Sequence, residues 1–523
     1  MATKNTYIIA YDLGTGGIKT SLFDEKGKKI KSVFGQCETL YPQMDFREQK
    51  PSDWWELVVR STKDLLSSVD VEPNDIAALA CSGHSLGVVP LSSDGELLLT
   101  QVPIWTDARA AKLSEQVFSN MTEEEWYLKT GNGFPAHLYS AFKILWYKRN
   151  MPDIYDKTYK FIGTKDFLNF KLTGVIATDH SYATGSGVYD LEALDYDKKL
   201  IETFGLEKEK FPYLLESSQL IGKILPRAAK ELGLGENVMV AAGGVDNACM
   251  SAGAGCVEEG MAYTSLGTSA WVAVTSRKPV LNDKTRPYVF GHLIKGMYVS
   301  AESIFSAGNT YRWVRDTLCQ DIKSKEDEGG ENAYVVMDRL AMESPIGSNG
   351  LIFVPTLAGG NALDDSVDAK GAITGLDLKH SRADIIRCAL EGICFGLKNA
   401  LEVLRRYVTI ADEILIVGGG AKSAYWRQMF ADVYNVTITE SAVQEDAGSL
   451  GAFACAAIGI GIWKDFSPLK EINHPISEVK PQSENVKLYE SLFKVFMHVN
   501  ALQSEIAEFA KSVKTDEVKA EQQ

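Results

Sequence analysis

The chain has 523 residues, 45% of them hydrophobic and 24% charged, and carries a formal net charge of −15 at pH 7. That length fills two or more domains with complete cores. The acidic balance excludes a nucleic-acid-binding or anionic-membrane protein, yet leaves room for a nucleotide site, which needs only local donors.

In chain order, the first informative stretch runs from Tyr7 to Lys19. It reads as a buried strand carrying Asp12, a turn of Gly14, Thr15, Gly16 and Gly17, and a second strand from Ile18 to Phe23. Amides in such a turn can converge on an anion such as phosphate. Asp12 beside it suits a hydrated Mg²⁺. Taken alone, an ordinary glycine hairpin explains the stretch equally well. A polar turn follows at Asp24–Lys28. Pro51-Ser52-Asp53-Trp54-Trp55 opens a helix, with Asp53 as the expected N-cap and Trp54, Leu57, Val58, Leu65 and Leu66 at helical spacing.

Ile76 to Cys81 is a short buried strand. It delivers Ser82-Gly83-His84-Ser85-Leu86-Gly87 to the C-terminal edge of a sheet, where open α/β sheets bind ligands. That position favours ligand contact for His84 over a satisfied loop histidine. Pro103 to Arg109 places Trp105, Asp107 and Arg109 together, and a local salt bridge and a ligand contact fit them equally. Ser140 to Trp146 opens an amphipathic helix with Lys143 and Trp146 on one face.

The second informative stretch is Val238 to Ala248. An apolar strand ends at Gly243-Gly244, and Asp246-Asn247 opens a helix. An N-cap role would explain Asp246 but not the glycine pair before it, so a general base is the better expectation. Leu266-Gly267-Thr268-Ser269 then echoes Leu13-Gly14-Thr15-Gly16, an offset of 253 residues, about half the chain. Such a duplication predicts two similar domains, 1–253 and 254–523, each offering a phosphate hairpin to a shared cleft that holds one ATP.

The charged segment 321–332 reads as a solvated loop, and 383–407 as a long helix. Glu413 to Ser423 is a strand running into Gly418-Gly419-Gly420, with Lys422 and Ser423 at a helix start, a natural place for a nucleotide. The helix that follows turns Trp426, Met429 and Val433 inward. The small residues 447–452 open a helix able to pack closely, and the polar residues 514–523 are expected to fray. The eight cysteines contain no C-x-x-C pair and read as reduced core residues. No signal peptide is visible, and the longest apolar stretch, 450–463, is too short to span a bilayer, so a cytoplasmic protein is expected.

Walker A, G-x-G-x-x-G, G-x-S-x-G and H-E-x-x-H motifs are all absent. What is present resembles the FGGY family of carbohydrate kinases, in its xylulokinase branch most closely. Asp12 to Gly16 looks like the family's first phosphate motif and Leu266 to Ser269 like its second. Val417 to Ser423, with Trp426-Arg427-Gln428, looks like its adenosine motif. Ser140, Lys143, Ile144 and Trp146 resemble one family signature, though Tyr147 replaces an aliphatic residue. Gly371 to Leu376, Asp384-Ile385 and Ala389-Leu390-Glu391 resemble the other, with Cys388 where Ala or Ser is usual.

The resemblance implies an α/β fold of two ribonuclease-H-like, actin-like ATPase domains with a central cleft. It implies ATP as co-substrate, Mg²⁺ held by Asp12 and Asp246 as general base. Gly14, Thr15, Gly16, Gly267, Thr268, Ser269, Gly418, Gly419, Gly420, Lys422 and Ser423 would hold the nucleotide. His84, Ser85, Trp105, Asp107, Asp246 and Asn247 would contact the sugar. The expected partners are a small sugar and ATP, with neither nucleic acid nor membrane, and a homodimer is left open. Two departures bear on the sugar. The branch carries Gln-Met-His-Gly where this chain has His84-Ser85-Leu86-Gly87, and the loop after Pro355 lacks its Ser-Gly-Glu-Arg. Ribulose, fuculose, gluconate, erythritol and glycerol therefore stand beside xylulose as candidates. A chaperone-like or sensory ATPase is the remoter alternative.

Overall fold

Strand Tyr7–Gly14 has Ile8, Ile9, Ala10, Tyr11 and Leu13 all fully buried, so residues pointing to both faces of the sheet are covered. That continuous burial is the mark of a strand with helices on either side. A computed structural model describes residues 6–441 and 443–521, with side chains described to residue 513 apart from residue 444. It divides into two compact units. One contains 1–259, 275–300 and 445–474; the other contains 260–274, 301–444 and 475–523.

In the first unit the sheet runs Leu220–Lys223, Met239–Ala241, Ile76–Gly83, Tyr7–Gly14, Gly17–Asp24, Lys29–Gln36, with Gly244–Val245 also pairing Ile76–Gly83. Tyr7–Gly14 is antiparallel to Gly17–Asp24 and parallel to Ile76–Gly83, which is parallel to Met239–Ala241. The C-terminal ends of the parallel strands thus deliver Asp12, the His84 loop and Asp246 to one edge. Helix Pro51–Ser67 packs against the hairpin, and helix Ala447–Gly459 packs on Tyr7–Gly14, Ile76–Gly83 and helix Asp246–Gly253. The last crossing is close because it is built from small residues. A Cβ on Gly253 would strike the Ala447 carbonyl oxygen, and one on Gly451 that of Cys249.

The second unit repeats the plan. Strand Ala262–Leu266 is antiparallel to Ala270–Ser276 and parallel to Glu413–Val417. Glu413–Val417 is in turn parallel to Thr437–Ser441, and Pro475–Val479 closes that side. Helix Arg382–Arg405 is capped by Ser381 in a capping box with Asp384 and buries most of its length. Helix Ala424–Tyr434 buries Trp426, Met429 and Val433.

Three local expectations fail. Helix Pro51–Ser67 begins with Pro51 in its first turn, Lys50 is the N-cap, and Asp53 lies inside the first turn. Proline fits there because its fixed φ is helical and its missing N–H needs no partner. The segment expected as a loop at 321–332 contains helix Gln320–Asp327, anchored by buried Ile322. Of the tail expected to fray, residues 514–521 belong to helix Ser483–Glu521, and 522–523 lie outside the described residues. No helix among the described residues is long and apolar enough to cross a membrane. All eight cysteines are free and buried.

Candidate active site

The first unit gathers the chemically active groups. Helix Asp246–Gly253 starts from Val245 as N-cap, so Asp246 is the first helical residue and its side chain caps nothing. Its Oδ1 instead accepts from the Asn247 amide at 2.8 Å and from Asn247 Nδ2 at 2.9 Å. Burial raises the Asp246 pKa to about 7, and the nearby charge of Asp12 adds to the rise. Asp246 is thus poised to take a proton near neutral pH. Gly243 is required just upstream. Its φ is +69°, and a Cβ there would run into the Cys81 carbonyl.

The backbone leading into Asp246 is braced by a buried network. Lys165 Nζ lies 2.6 Å from Asp166 Oδ1 and 2.9 Å from Asp179 Oδ1, and donates to the Ala242 carbonyl at 3.2 Å. Asp179 Oδ2 accepts from Ser181 Oγ and from Ser217 Oγ, and Ser181 Oγ accepts from the Val245 amide at 3.0 Å. Sequence reasoning missed this support. The only local signal was a Lys-Asp pair at the start of helix Thr164–Thr173, and its partners lie on other elements.

Asp12 is the second carboxylate. Burial raises its pKa, the Ser82 hydroxyl and Lys19 oppose the rise, and Asp446 adds to it. Helix Ala447–Gly459 comes so near that a Cβ on Gly448 would sit 2.5 Å from Asp12 Oδ2. Lys19 itself is drawn to the Glu445 carbonyl at 2.6 Å and to Asp446 at 3.4 Å. Lys29 also pairs with Asp446, so both nearby lysines are drawn to Asp446 and the Asp12 carboxylate, with no cation of its own bonded to it among the described residues, fits a divalent cation. No cluster of three or more metal-ligating side chains occurs among the described residues. One carboxylate completed by water and phosphate oxygens is the coordination Mg²⁺ favours.

His84 is buried with neither ring nitrogen hydrogen-bonded among the described residues. Its ring meets Trp54 edge-on at 5.9 Å, while its carbonyl accepts from Thr164 Oγ1 and Tyr182 OH. Burial lowers its pKa to about 4, so it is a neutral imidazole with one donor and one acceptor to offer. Ser85 is buried beside it, and Leu86 follows at φ +62°, a left-handed conformation costly for a leucine. Lys143 holds this loop. It is fully buried and donates to the carbonyls of Leu86 at 3.1 Å and Ile104 at 2.8 Å, with its pKa lowered by burial to about 7.

Trp105 donates from Nε1 to Thr15 Oγ1 at 2.8 Å, tying the 104–105 segment to the hairpin tip. Both Asp107 oxygens are engaged. Oδ1 accepts from Arg109 Nε at 2.7 Å; Oδ2 accepts from Arg109 Nη2 at 2.9 Å and from the Arg47 amide at 2.7 Å. The structure thus draws Asp12, His84, Ser85, Asp246 and Asn247 to one sheet edge and gives Asp107 a structural ion pair.

The two hairpin tips share a device. In the first, the Thr15 carbonyl accepts from Gln49 Nε2 and the Gly16 carbonyl from the Cys37 amide. In the second unit, the Gly267 carbonyl accepts from the Gly308 amide, and the Thr268 carbonyl from the amides of Ala307 and Asn309. Carbonyls are thus held back by the protein. The amides of Thr15, Gly16, Thr268 and Ser269 have no acceptor among the described residues. Exposed amides with tethered carbonyls make an anion nest. Also in the second unit, Gly418 leads into the turn Gly419–Lys422. Ser423 caps helix Ala424–Tyr434 by accepting from the Trp426 amide, and its hydroxyl donates to Asp338 Oδ2 at 2.6 Å.

Two tips with unengaged amides, two half-buried carboxylates and a neutral, unsatisfied imidazole on an α/β frame suit a phosphotransferase. Residues 7–253 match the N-terminal domain, and residues 262–460 the C-terminal domain, of the FGGY family of carbohydrate kinases. The chain belongs to that family. It is 30% identical over 490 residues to a xylulose kinase of Staphylococcus epidermidis, covering 94% of this chain and 95% of the relative. It also superposes on a ligand-bound xylulose kinase of Lactobacillus acidophilus with a TM-score of 0.88 at 26% identity, over 96% of this chain and all of that one. A gluconate kinase from the same organism superposes with a TM-score of 0.87, also at 26% identity, over 97% of this chain and all of that one. The two sheet-containing domains are those of the actin-like ATPase fold, and the chain is a sugar kinase.

Proposed function

We propose that the protein transfers the γ-phosphoryl group of ATP to a hydroxyl of a small neutral sugar, a ketopentose such as xylulose. The observation that carries the chemistry is Asp246, with its pKa raised to about 7 beside a second carboxylate. Asp246 takes the proton from the sugar hydroxyl as its oxygen bonds to the γ-phosphorus, and the bond to the bridging oxygen breaks to release ADP. Asn247 fixes the Asp246 oxygen that faces it, and the Lys165–Asp179–Ser181 network fixes the backbone before it. Mg²⁺ held by Asp12 would neutralise phosphate charge. The amides of Gly14, Thr15, Gly16, Thr268 and Ser269 would receive the phosphates, whereas the Gly267 amide, expected to join them, is spent on the Ser269 carbonyl at 3.0 Å and holds the turn. Gly418, Gly419, Gly420, Lys422 and Ser423 would hold the rest of the nucleotide. We assign residues 1–253 to sugar binding and the base, and 254–523 to the nucleotide, in a cytoplasmic enzyme.

A neutral substrate is favoured by the commitments of three buried cations of the first unit. Lys143 is spent on carbonyls, Lys165 on Asp166 and Asp179, and Arg109 on Asp107 and Glu48. A sugar acid would find none of these three uncommitted. His84, Ser85, Trp105 and Asn247 are the proposed hydroxyl partners, with Asp107 acting through Arg109 and the loop it anchors. The test is ADP release with xylulose, ribulose, fuculose, erythritol, glycerol and gluconate. A neutral ketose should give the highest kcat/KM and gluconate at least a tenfold lower one. Release unchanged by every sugar would refute the proposal.

A further inference from the structure

Strands Ile76–Gly83 and Gly244–Val245 pair in parallel, with Gly83 opposite Val245. His84 follows the first and Asp246 the second, so the proposed sugar loop and the proposed base leave the sheet side by side. One short helical turn, His180–Ala183, bonds to both. Asp179 caps that turn, accepting from the Ser181 amide at 2.9 Å, and Lys165 Nζ holds Asp179 at 2.9 Å. Ser181 Oγ accepts from the amide of Val245, the residue before Asp246, at 3.0 Å. Tyr182, the next residue, serves the other loop. Its hydroxyl donates to the His84 carbonyl at 3.0 Å and accepts from the Thr164 amide at 3.0 Å. Burial pushes the phenol pKa up, so the hydroxyl keeps the proton it donates. The ring is confined as well, since a Cβ on Gly163 would lie 2.1 Å from it.

Packing alone does not hold the His84 loop. Leu86 is buried, yet a cavity of about 30 Å³ lies against Gly87, bounded also by Gly163, Tyr182 and Ala183. That is room for about two waters. Leu86 at φ +62° is strained, and such strain persists only where the surroundings over-determine it. Polar contacts do so here. The His84 carbonyl takes donors from both Tyr182 and Thr164, and the Leu86 carbonyl takes Lys143. We infer that Tyr182 and Ser181 are positioning residues, and that the turn they share sets the separation between the sugar loop and Asp246. The inference rests on reading the His84 loop as the sugar loop and Asp246 as the base. It assigns neither residue a contact with substrate. Their effect is on alignment, where an error of about 1 Å costs on the order of 10²-fold in rate. Tyr182 acts on capture of the sugar, and Ser181 acts on the base.

The test reads amide hydrogen exchange by mass spectrometry and steady-state ADP release on variants of the full chain. Tyr182→Phe keeps the ring and removes the hydroxyl. Exchange of peptides covering 84–87 should quicken about tenfold, with those covering 243–247 within about twofold of wild type. Ser181→Ala should reverse that pattern. Asp179→Asn loosens the turn itself and should quicken both segments. The two single-hydroxyl variants decide alone if Asp179→Asn does not fold. In turnover, Tyr182→Phe should raise KM for xylulose about fivefold or more while KM for MgATP stays within about twofold. Ser181→Ala should lower kcat about tenfold with KM for xylulose within about twofold. Exchange needs no turnover. A wild type whose ADP release no sugar stimulates would sink the kinase reading, and the exchange pattern would still decide the bridge. Folded single variants whose exchange is unchanged at both segments would overturn the inference. So would a Tyr182→Phe enzyme whose two KM values rise equally.

Discussion

The two hairpin tips have the same backbone plan and opposite chemistry. Each joins two antiparallel strands, lies beside a parallel neighbour, and has its carbonyls tied back by other segments. The first stands among carboxylates. Asp12 lies on its leading strand, Asp446 acts on Asp12, and Asp246 feels the charge of Asp12. The second is surrounded by glycines and hydroxyls, with Ser423 committed to Asp338. The difference separates two tasks that one motif can serve. Amides alone suit phosphate, whereas amides beside half-buried carboxylates would, as proposed above, also hold a metal and move a proton.

Substitutions that respect this division should have effects of different size and kind. The largest belongs to Asp246→Asn. It keeps the shape and the Asn247 contact but removes the base, and kcat should fall about 10³-fold or more while nucleotide affinity changes less than twofold, as calorimetry would show. The same variant should gain stability at high pH. The folded-state pKa of Asp246 lies above the unfolded value, so the folded protein disfavours the ionised form. The penalty is absent below about pH 4, grows as pH rises to about 7 and is constant above it. Asp246→Asn should therefore be more stable than wild type at pH 8, by on the order of 2 kcal/mol after allowing for partial solvent screening, and indistinguishable from it at pH 4. Denaturant midpoints at the two pH values decide this; a variant less stable at pH 8 would break the electrostatic account of the first tip.

Next comes Gly448→Ala. Its methyl would press on the Asp12 carboxylate, and we expect a 10- to 100-fold loss in kcat with a raised Mg²⁺ requirement. A titration of activity against Mg²⁺ measures both. His84→Phe keeps a buried ring against Trp54 but removes both ring nitrogens, so KM for the sugar should rise about tenfold with KM for ATP unchanged. An equal rise in both would move His84 from the sugar to the fold. The smallest effect is expected at the neutral tip. Ser269→Ala leaves the backbone amide in place, and KM for ATP should shift no more than about threefold.

What could be read from the sequence was local. Gly-rich turns after apolar runs announced both hairpins, and the strand, glycine pair and acid at 240–246 announced Asp246, because each signal lies within a few residues. Support from afar was illegible. Gly448 meets Asp12 from the far end of the chain, and Lys165 reaches Asp179 and Ala242 from a helix that showed only a Lys-Asp pair. The unsatisfied imidazole of His84 depends on Trp54, Thr164 and Tyr182 enclosing its loop, which no spacing encodes. The segment 321–332 was misread because its charges hide a single anchoring residue, Ile322. The N-cap, expected at Asp53, was misplaced by three residues because Pro51 starts its helix without a side-chain cap.

The central claim is that the acidic tip works through a base poised near neutrality, and the pH dependence of kcat/KM tests it without altering the chain. Measured with sugar saturating and MgATP limiting, kcat/KM should fall about tenfold per pH unit below an acid limb at or slightly under 7, since a metal held at Asp12, as proposed, would oppose part of the rise in Asp246. A kcat/KM that stays level from pH 8 down to pH 5, with the protein still folded, would contradict it.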